Sequence, residues 1–452
     1  MSRIGRLEFE LLKSRVTALE TGFTSLEDRV DDLEGEPDDP PPPPPFTVKR
    51  VLSQQDFTYL GHWRVAPGLG AGELHWGQGF THRYVDGKLR FLTLAYRNGQ
   101  RPDSALNEFA PPDAFGGTTT ERTGVWPDIK FPEGFNAPGA GAFNGLWWDA
   151  ERNRLWSTSG IRYPGTVEAA WTRSIMIRSL NADGTVGDVH GWFGVQGVNN
   201  RRVYGGVCRI PNWFADRYCG GRQYGVGFGG VASIASAGVS CGPTLYAVNP
   251  AGSPNNADLE KTTLLDHSAA TGYPDWYGLG IRTPSTPDRG IRNADVINEM
   301  DAGNWKSPAP DGLGRWTLQD GAWNTGCWIE GPNQHGFLII GSFVNGRLSY
   351  GVSEPVAERR SWEFQVYDPA QLGEVAEGRR KPWDCKPVRW ELKPPGLGPV
   401  GWMGPGLPHQ NVSGASWDDK AKRLYLYCPW ADDGYPRIWV YSASWVGLQE
   451  GR

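Results

Sequence analysis

Two phrases far apart in this chain follow one pattern. WWDAERNRLW (147–156) and SWDDKAKRLYLY (416–427) each end a strand on an aspartate, cross a charged turn and resume with Arg-Leu-aromatic. Three further stretches share the outline: ELHWGQGFTHRYVDGKLRFLTLAY (73–96), RRVYGGVCRIPNWFADRYCGGRQYGVGFGG (201–230) and GAWNTGCWIEGPNQHGFLIIGSF (321–343). In each, small residues and a glycine precede an apolar strand, polar residues turn the chain, and a second apolar strand returns. A repeated antiparallel sheet with a tight, Gly-rich first strand reads as a β-propeller. Inner strands crowd at the axis, where only small residues fit, and Gly145, Gly206, Gly326 and Gly414 take those places.

The composition agrees with an all-β body. The chain holds 61 Gly, 36 Pro and 22 Trp, and good helix formers are rare beyond residue 61. An outer strand follows several repeats: SIMIRSLNADG (174–184), TLYAVNP (244–250), WEFQVYDP (362–369) and RIWVYSAS (437–444). About five blades are recognisable, with wide spacings that imply long loops. Residues 255–315 hold either a sixth blade or an insertion. Residues 47–65 are placed to close the ring against the last blade, which would remove exposed strand edges. A β-sandwich is the alternative fold.

The chain opens differently. Phe9, Val16, Phe23 and Val30 fall at heptad position a, and Leu12, Leu19, Leu26 and Leu33 at d. This unbroken repeat of about 3.5 residues predicts a left-handed coiled coil. Flanking pairs Glu8–Lys13, Arg15–Glu20 and Arg29–Glu34 have opposite sign in a parallel assembly. Phenylalanine at two a positions is bulky for a two-stranded seam, so the expected assembly is a homotrimer. Gly35 and Pro37 stop the helix. Pro40 to Pro45 predict polyproline II, rising about 3.1 Å per residue. The expected organisation is a stalk over 1–34, a linker over 35–46 and a propeller over 47–452.

The net charge of −5 argues against nucleic-acid or anionic-membrane partners, which favour a basic face. No apolar run reaches the roughly 18 residues of a membrane helix. MSRIGRLEFELLK lacks the apolar stretch of a secretory leader, so synthesis in a cytoplasm is the expectation. Six scattered cysteines without a CxxC pair exclude a zinc ribbon or thioredoxin-type motif. Buried thiols are expected, with a Cys208–Cys219 disulfide as the alternative.

Catalytic motifs are absent: there is no HExxH, GxSxG, P-loop or EF-hand loop, and no cofactor is expected. His75, His335 and His409 lie near repeat starts or turns without a ligand spacing, and read as structural. Asp418–Asp419 and Asp432–Asp433 read as solvated turn residues rather than acid–base pairs. The long polar and aromatic segment 275–305 differs from its surroundings. Long loops on rigid scaffolds tend to carry function. Trp276, Tyr277 and Trp305 would offer flat faces to a sugar, with Arg282, Asp288 and Asp295 as polar partners.

An N-terminal coil followed by a proline spacer and a propeller resembles a bacteriophage virion appendage, such as a tail or head fibre. WDDKAKRLYLY and FQVYDPAQL look like strand phrases of enzymatic and non-enzymatic propellers alike. The resemblance implies a trimeric virion component, assembled in the host cytoplasm with other virion proteins, whose head binds a host-surface glycan or protein or decorates the particle. The competing expectation is a propeller glycosidase or polysaccharide lyase on the same mount.

Overall fold

A computed structural model describes residues 13–17, 49–66, 74–97, 105–126, 142–160, 173–181, 185–198, 203, 205–228, 243–266, 325–350, 355–397, 412–432 and 435–443. The chain divides into two units, Met1–Val48 and Lys49–Arg452.

In the first unit, residues 13–17 are helical, and the Thr17 hydroxyl donates to the Lys13 carbonyl (3.0 Å). Of the eight expected seam residues only Val16 lies among them, and it is 47% exposed on the single chain. Phe9, Leu12, Leu19, Phe23, Leu26, Val30 and Leu33 lie outside the described residues, as does the proline run.

The second unit is a five-bladed β-propeller. The chain enters with β1 (Arg50–Val51) and β2 (Phe57–Val65). Blade one follows as β3 (Leu74–Val85), β4 (Lys88–Arg97) and β5 (Ala105–Phe109), then, after the short β6 (Thr119–Thr120), β7 (Arg122–Trp126). Blade two is β8 (Ala142–Asp149), β9 (Arg154–Gly160), β10 (Ile175–Leu180) and β11 (Val186–Val195). Blade three is β12 (Gly206–Arg209), helix α1 (Asn212–Tyr218), β13 (Tyr224–Gly227), β14 (Thr244–Val248) and, after the short β15 (Asp258–Leu259), β16 (Lys261–Asp266). Blade four is β17 (Thr325–Glu330), β18 (Gln334–Tyr350), β19 (Pro355–Tyr367), helix α2 (Pro369–Ala376) and β20 (Val388–Glu391). Blade five is β21 (Gly414–Asp418), β22 (Arg423–Asp432) and β23 (Tyr435–Ala443).

All five strand-turn-strand phrases found in the sequence begin blades. The strands at 174–184, 244–250, 362–369 and 437–444, expected to be outer strands, are third strands, because a fourth pairs beyond each of them. Within the stretch held open for a sixth blade, β15 and β16 belong to the existing sheets: β16 completes blade three, and β15 laces in parallel onto β11 of blade two.

The ring closes between chain ends, as the sequence predicts. β2 pairs antiparallel with β23, from Phe57 opposite Ala443 to Arg64 opposite Arg437, so the last blade takes its fourth strand from the start of the body. β6 then laces onto β2, and β1 onto β18.

Packing between blades explains why the strands are apolar on both faces. Successive residues point into opposite gaps. On β22, Leu424, Leu426 and Cys428 fill the gap to blade four, while Tyr425 and Tyr427 fill the gap to blade one. On β14, Leu245 and Ala247 face blade four, and Tyr246 and Val248 face blade two. Leu92, Leu106, Leu146, Trp148 and Met176 fill the gap between blades one and two. These apolar clusters together occupy every gap around the ring.

The shared phrase in blades two and five has a local cause. Asp149 Oδ1 accepts from the backbone N–H groups of Glu151 and Arg152 (3.2 and 3.3 Å). Asp418 Oδ1 accepts in the same way from Lys420 and Ala421 (3.0 and 3.2 Å). Four residues after each aspartate, Asn153 and Lys422 take positive φ (54° and 50°) and turn the chain into the next strand. An Asp side chain that bonds its own downstream backbone favours such a turn.

At the axis, a Cβ on Gly145 would stand 2.5 Å from the Cα of Gly206 on the next inner strand. Gly145→Ala is therefore expected to force β8 and β12 apart and to cost about 1–3 kcal/mol of stability, read as a lowered urea midpoint.

Candidate functional site

The inner strands β3, β8, β12, β17 and β21 enclose an axial channel of about 420 Å³. They run in the same direction. A Cβ on Gly414 would collide with Phe80; two residues on, Ser416 meets His82; two further on, Asp418 meets Tyr84. The starts of the strands form a belt of small residues: Gly79, Gly145, Gly205, Gly206, Gly326 and Gly414. Their ends bring Arg209, Glu330, Trp417, Asp419 and Lys422 to the wall. One end of the channel is thus shaped by backbone and the other by side chains.

The charges on the wall are balanced locally. Lys422 Nζ donates to Asp419 Oδ1 (2.7 Å). Arg209 Nη2 lies 3.2 Å from Glu151 Oε2. Glu330 Oε1 accepts from Trp213 Nε1 (2.8 Å) and faces Lys49 Nζ at 3.5 Å. Two cations and two carboxylates line the channel, so no net charge is offered to an ion.

The aromatic lining includes Phe80, Trp147, Trp148, Phe228, Trp328 and Trp417. Most are buried, but Trp147 and Trp417 keep part of their surface open. Three buried polar atoms on residues of the wall, Arg209 Nη1, Ser413 Oγ and Trp328 Nε1, have no hydrogen-bond partner among the described residues. Buried donors without partners are costly.

Besides the Tyr84–Asp418 bond, three serine or threonine hydroxyl contacts join neighbouring inner strands. Trp148 N donates to Thr81 Oγ1 (3.0 Å). Ala415 N donates to Thr325 Oγ1. Ser416 Oγ lies 2.7 Å from His82 Nδ1, and Asp418 Oδ1 stands 3.9 Å from His82 Nε2. Burial lowers the pKa of His82, and the Asp418 charge opposes this only in part. The imidazole is therefore neutral near neutral pH.

Cys208 and Cys327 also line the channel. Burial pushes the Cys208 thiol up to about 12 and the Cys327 thiol well above its ordinary value. Both stay protonated, which rules out thiolate chemistry here. Cys208 and Cys219 are free and buried, as are Cys327 and Cys385, so the alternative of a Cys208–Cys219 disulfide is corrected. Cys219 sits just past α1 and packs into the apolar gap between blades three and four.

The other sequence expectations fare unevenly. Asp418 is a turn residue, but it is 1% exposed rather than solvated: its Oδ2 accepts from Tyr84 Oη on blade one (2.8 Å). Asp419 is exposed and paired with Lys422. His335 is buried and stacks on Trp213 (centroids 6.0 Å apart). His409, Asp433 and the side chains of His75 and Asp432 lie outside the described residues. So do Trp276, Tyr277, Arg282, Asp288, Asp295 and Trp305. The four axial glycines all line the channel. His82, Ser416 and Trp417 escaped sequence reasoning; the inner-strand positions carry a signal, but nothing in the spacing pairs them. Among the described residues, no group of three or more His, Cys, Asp or Glu is arranged to hold a metal ion.

No protein-family model matches the chain, and no curated protein matches it. Solved structures give weak likenesses. A putative glycoside hydrolase from Parabacteroides distasonis is 13% identical with a TM-score of 0.41, covering 88% of this chain and 100% of that one. A mannose phosphorylase from Leishmania mexicana is 12% identical, TM-score 0.32, covering 87% and 89%. The parainfluenza virus 5 hemagglutinin-neuraminidase ectodomain is 9% identical, TM-score 0.31, covering 98% and 99%. Similarity at this level assigns no function.

Proposed function

We propose that this propeller handles carbohydrate, with a neutral saccharide seated in the axial channel at the ends of the inner strands. The observation that carries the reading is the wall itself. It combines partly open indole faces at Trp147 and Trp417 with locally balanced charges. Indole faces supply apolar area at low entropic cost. Balanced charges disfavour ions and suit a polyol. The volume of about 420 Å³ falls in the usual range for small-molecule sites, roughly 300–1,000 Å³.

The test is calorimetric titration against neutral mono- and oligosaccharides. Trp417→Ala is expected to weaken binding at least tenfold, equivalent to about 1.4 kcal/mol. Equal affinity of wild type and variant for every sugar would remove Trp417 from the site.

Glycosidic hydrolysis is the second reading, favoured by Glu330 and Asp419 on neighbouring blades along the same wall. Two carboxylates flanking a bond are the usual glycosidase apparatus, although each is already engaged here, Glu330 by Trp213 and Asp419 by Lys422. New reducing ends from a bound oligosaccharide, lost in Glu330→Gln, would select hydrolysis over recognition.

The mount remains as the sequence suggests it: a trimeric coiled coil, with Val16 half-exposed at a seam position, carrying the head on a virion. Removing residues 1–46 is expected to convert a trimer to a monomer in light scattering. An unchanged mass would exclude the coil as the assembling element.

A further inference from the structure

The contact between blades five and one differs in kind from the other hydroxyl contacts around the axis. Thr81 and Thr325 bond backbone amides of the neighbouring blade. Such bonds hold strands together without a titratable group. At the gap where the ring closes, a serine hydroxyl instead meets an imidazole. Ser416 Oγ lies 2.7 Å from His82 Nδ1, and both residues line the axial channel.

The surroundings set the direction of this bond. Asp418 Oδ1 stands 3.9 Å from His82 Nε2, too far for a hydrogen bond but near enough to favour the tautomer with its proton on Nε2. Nδ1 is then an acceptor, and the Ser416 hydroxyl donates to it. Tyr84 lies edge-on to the imidazole (centroids 6.2 Å) with its hydroxyl bonded to Asp418, and Lys420 Nζ sits over the Tyr84 ring. Burial keeps the imidazole neutral and ready to take a proton. A hydroxyl that donates to a neutral imidazole is the arrangement of an activated nucleophile with its base.

The geometry points to a serine nucleophile with a histidine base, Ser416 and His82, that cleaves carboxylic esters reaching the axial channel. Ser416 Oγ adds to the ester carbonyl carbon as its proton passes to His82 Nδ1. The C–O bond to the alcohol breaks, and the alcohol leaves with that proton. Water then adds to the acyl-serine carbonyl and gives a proton to Nδ1, the Oγ–C bond breaks, and Oγ regains the proton as the acid departs. The substrate class is an O-acyl saccharide, which rests on the carbohydrate reading above; the ester cleavage itself does not.

The experiment uses the full chain. Ser416 Oγ is expected to displace fluoride from the phosphorus of a fluorophosphonate probe and to carry the phosphonyl group, located by peptide mass mapping. 4-Nitrophenyl acetate is expected to be hydrolysed, with a rate that falls in acid as His82 gains a proton. Ser416→Ala and His82→Gln are each expected to lose at least a hundredfold of that rate, since general-base assistance alone contributes about 10²–10⁴-fold, while a purely mechanical bond predicts no label on Ser416 and no loss of rate in either variant. Absence of label from Ser416 in folded wild-type protein would overturn the proposal without recourse to any variant. Labelling and ester hydrolysis without release of acetate from an O-acetylated oligosaccharide, and without sugar binding, would keep the nucleophile and overturn the carbohydrate reading.

Discussion

Trp63→Ala is expected to lower the free energy of unfolding by about 3–5 kcal/mol, the range for deleting a fully buried large aromatic side chain. Trp63 stands on β2, the strand that closes the ring, and is wholly buried. Its ring lies 5.6 Å from Phe91 on blade one, 5.6 Å from Phe115 and 6.1 Å from Tyr425 on blade five. One side chain therefore joins the closing strand to both neighbouring blades. Its loss leaves a cavity where two sheets and a loop converge, and these cannot all collapse inward together. Trp63→Phe is expected to cost less than half as much: it keeps aromatic surface and removes an indole N–H that has no hydrogen-bond partner among the described residues. Urea unfolding supplies the number, and hydrogen exchange supplies the location. The amides of β2 and β23 should lose protection first. An unaltered midpoint for Trp63→Ala would mean that closure through β2 contributes little.

The second large effect lies at the aspartate that ends β21. Asp418→Ala is expected to cost about 2–4 kcal/mol, because it removes the buried, charged acceptor of three hydrogen bonds at once. The lost carboxylate accepts from Lys420 N, Ala421 N and Tyr84 Oη. The first two bonds fold the turn; the third ties blade five to blade one. Asp418→Asn keeps an acceptor for the turn and should cost less. A double-mutant cycle with Tyr84→Phe separates the two jobs, since only the interblade part couples to the tyrosine. Asp149 and Tyr224 repeat the arrangement between blades two and three (3.2 Å). Asp418→Asn also removes the charge that opposes desolvation at His82, so the imidazole pKa moves further down. Any pH-dependent ester hydrolysis by the variant would then persist to lower pH than in wild type. Full additivity of Asp418→Ala and Tyr84→Phe would show that the hydroxyl contact is incidental.

The sequence was informative wherever a cause is local. The glycines at the axis are visible because close approach excludes a Cβ, and Gly145 beside Gly206 meets that condition. The turn phrases are visible because Asp149 and Asp418 bond their own downstream backbone. The apolar strands are visible because both faces are buried. The closing strand was also legible, since a ring of sheets with an open edge at each chain end has a pairing left to make.

The sequence left two things to the tertiary structure. It presented Asp418 as a turn residue, but gave no sign that its second oxygen receives a tyrosine hydroxyl from the first blade. It carried His82 within the first repeat, with no sign of a partner. Tyr84 and Asp418, like His82 and Ser416, are separated by 334 residues. Local patterning fixes which residues lie on inner strands and which way they alternate. Which of them touch is decided by the number of blades and by ring closure, because only closure brings the first inner strand against the last.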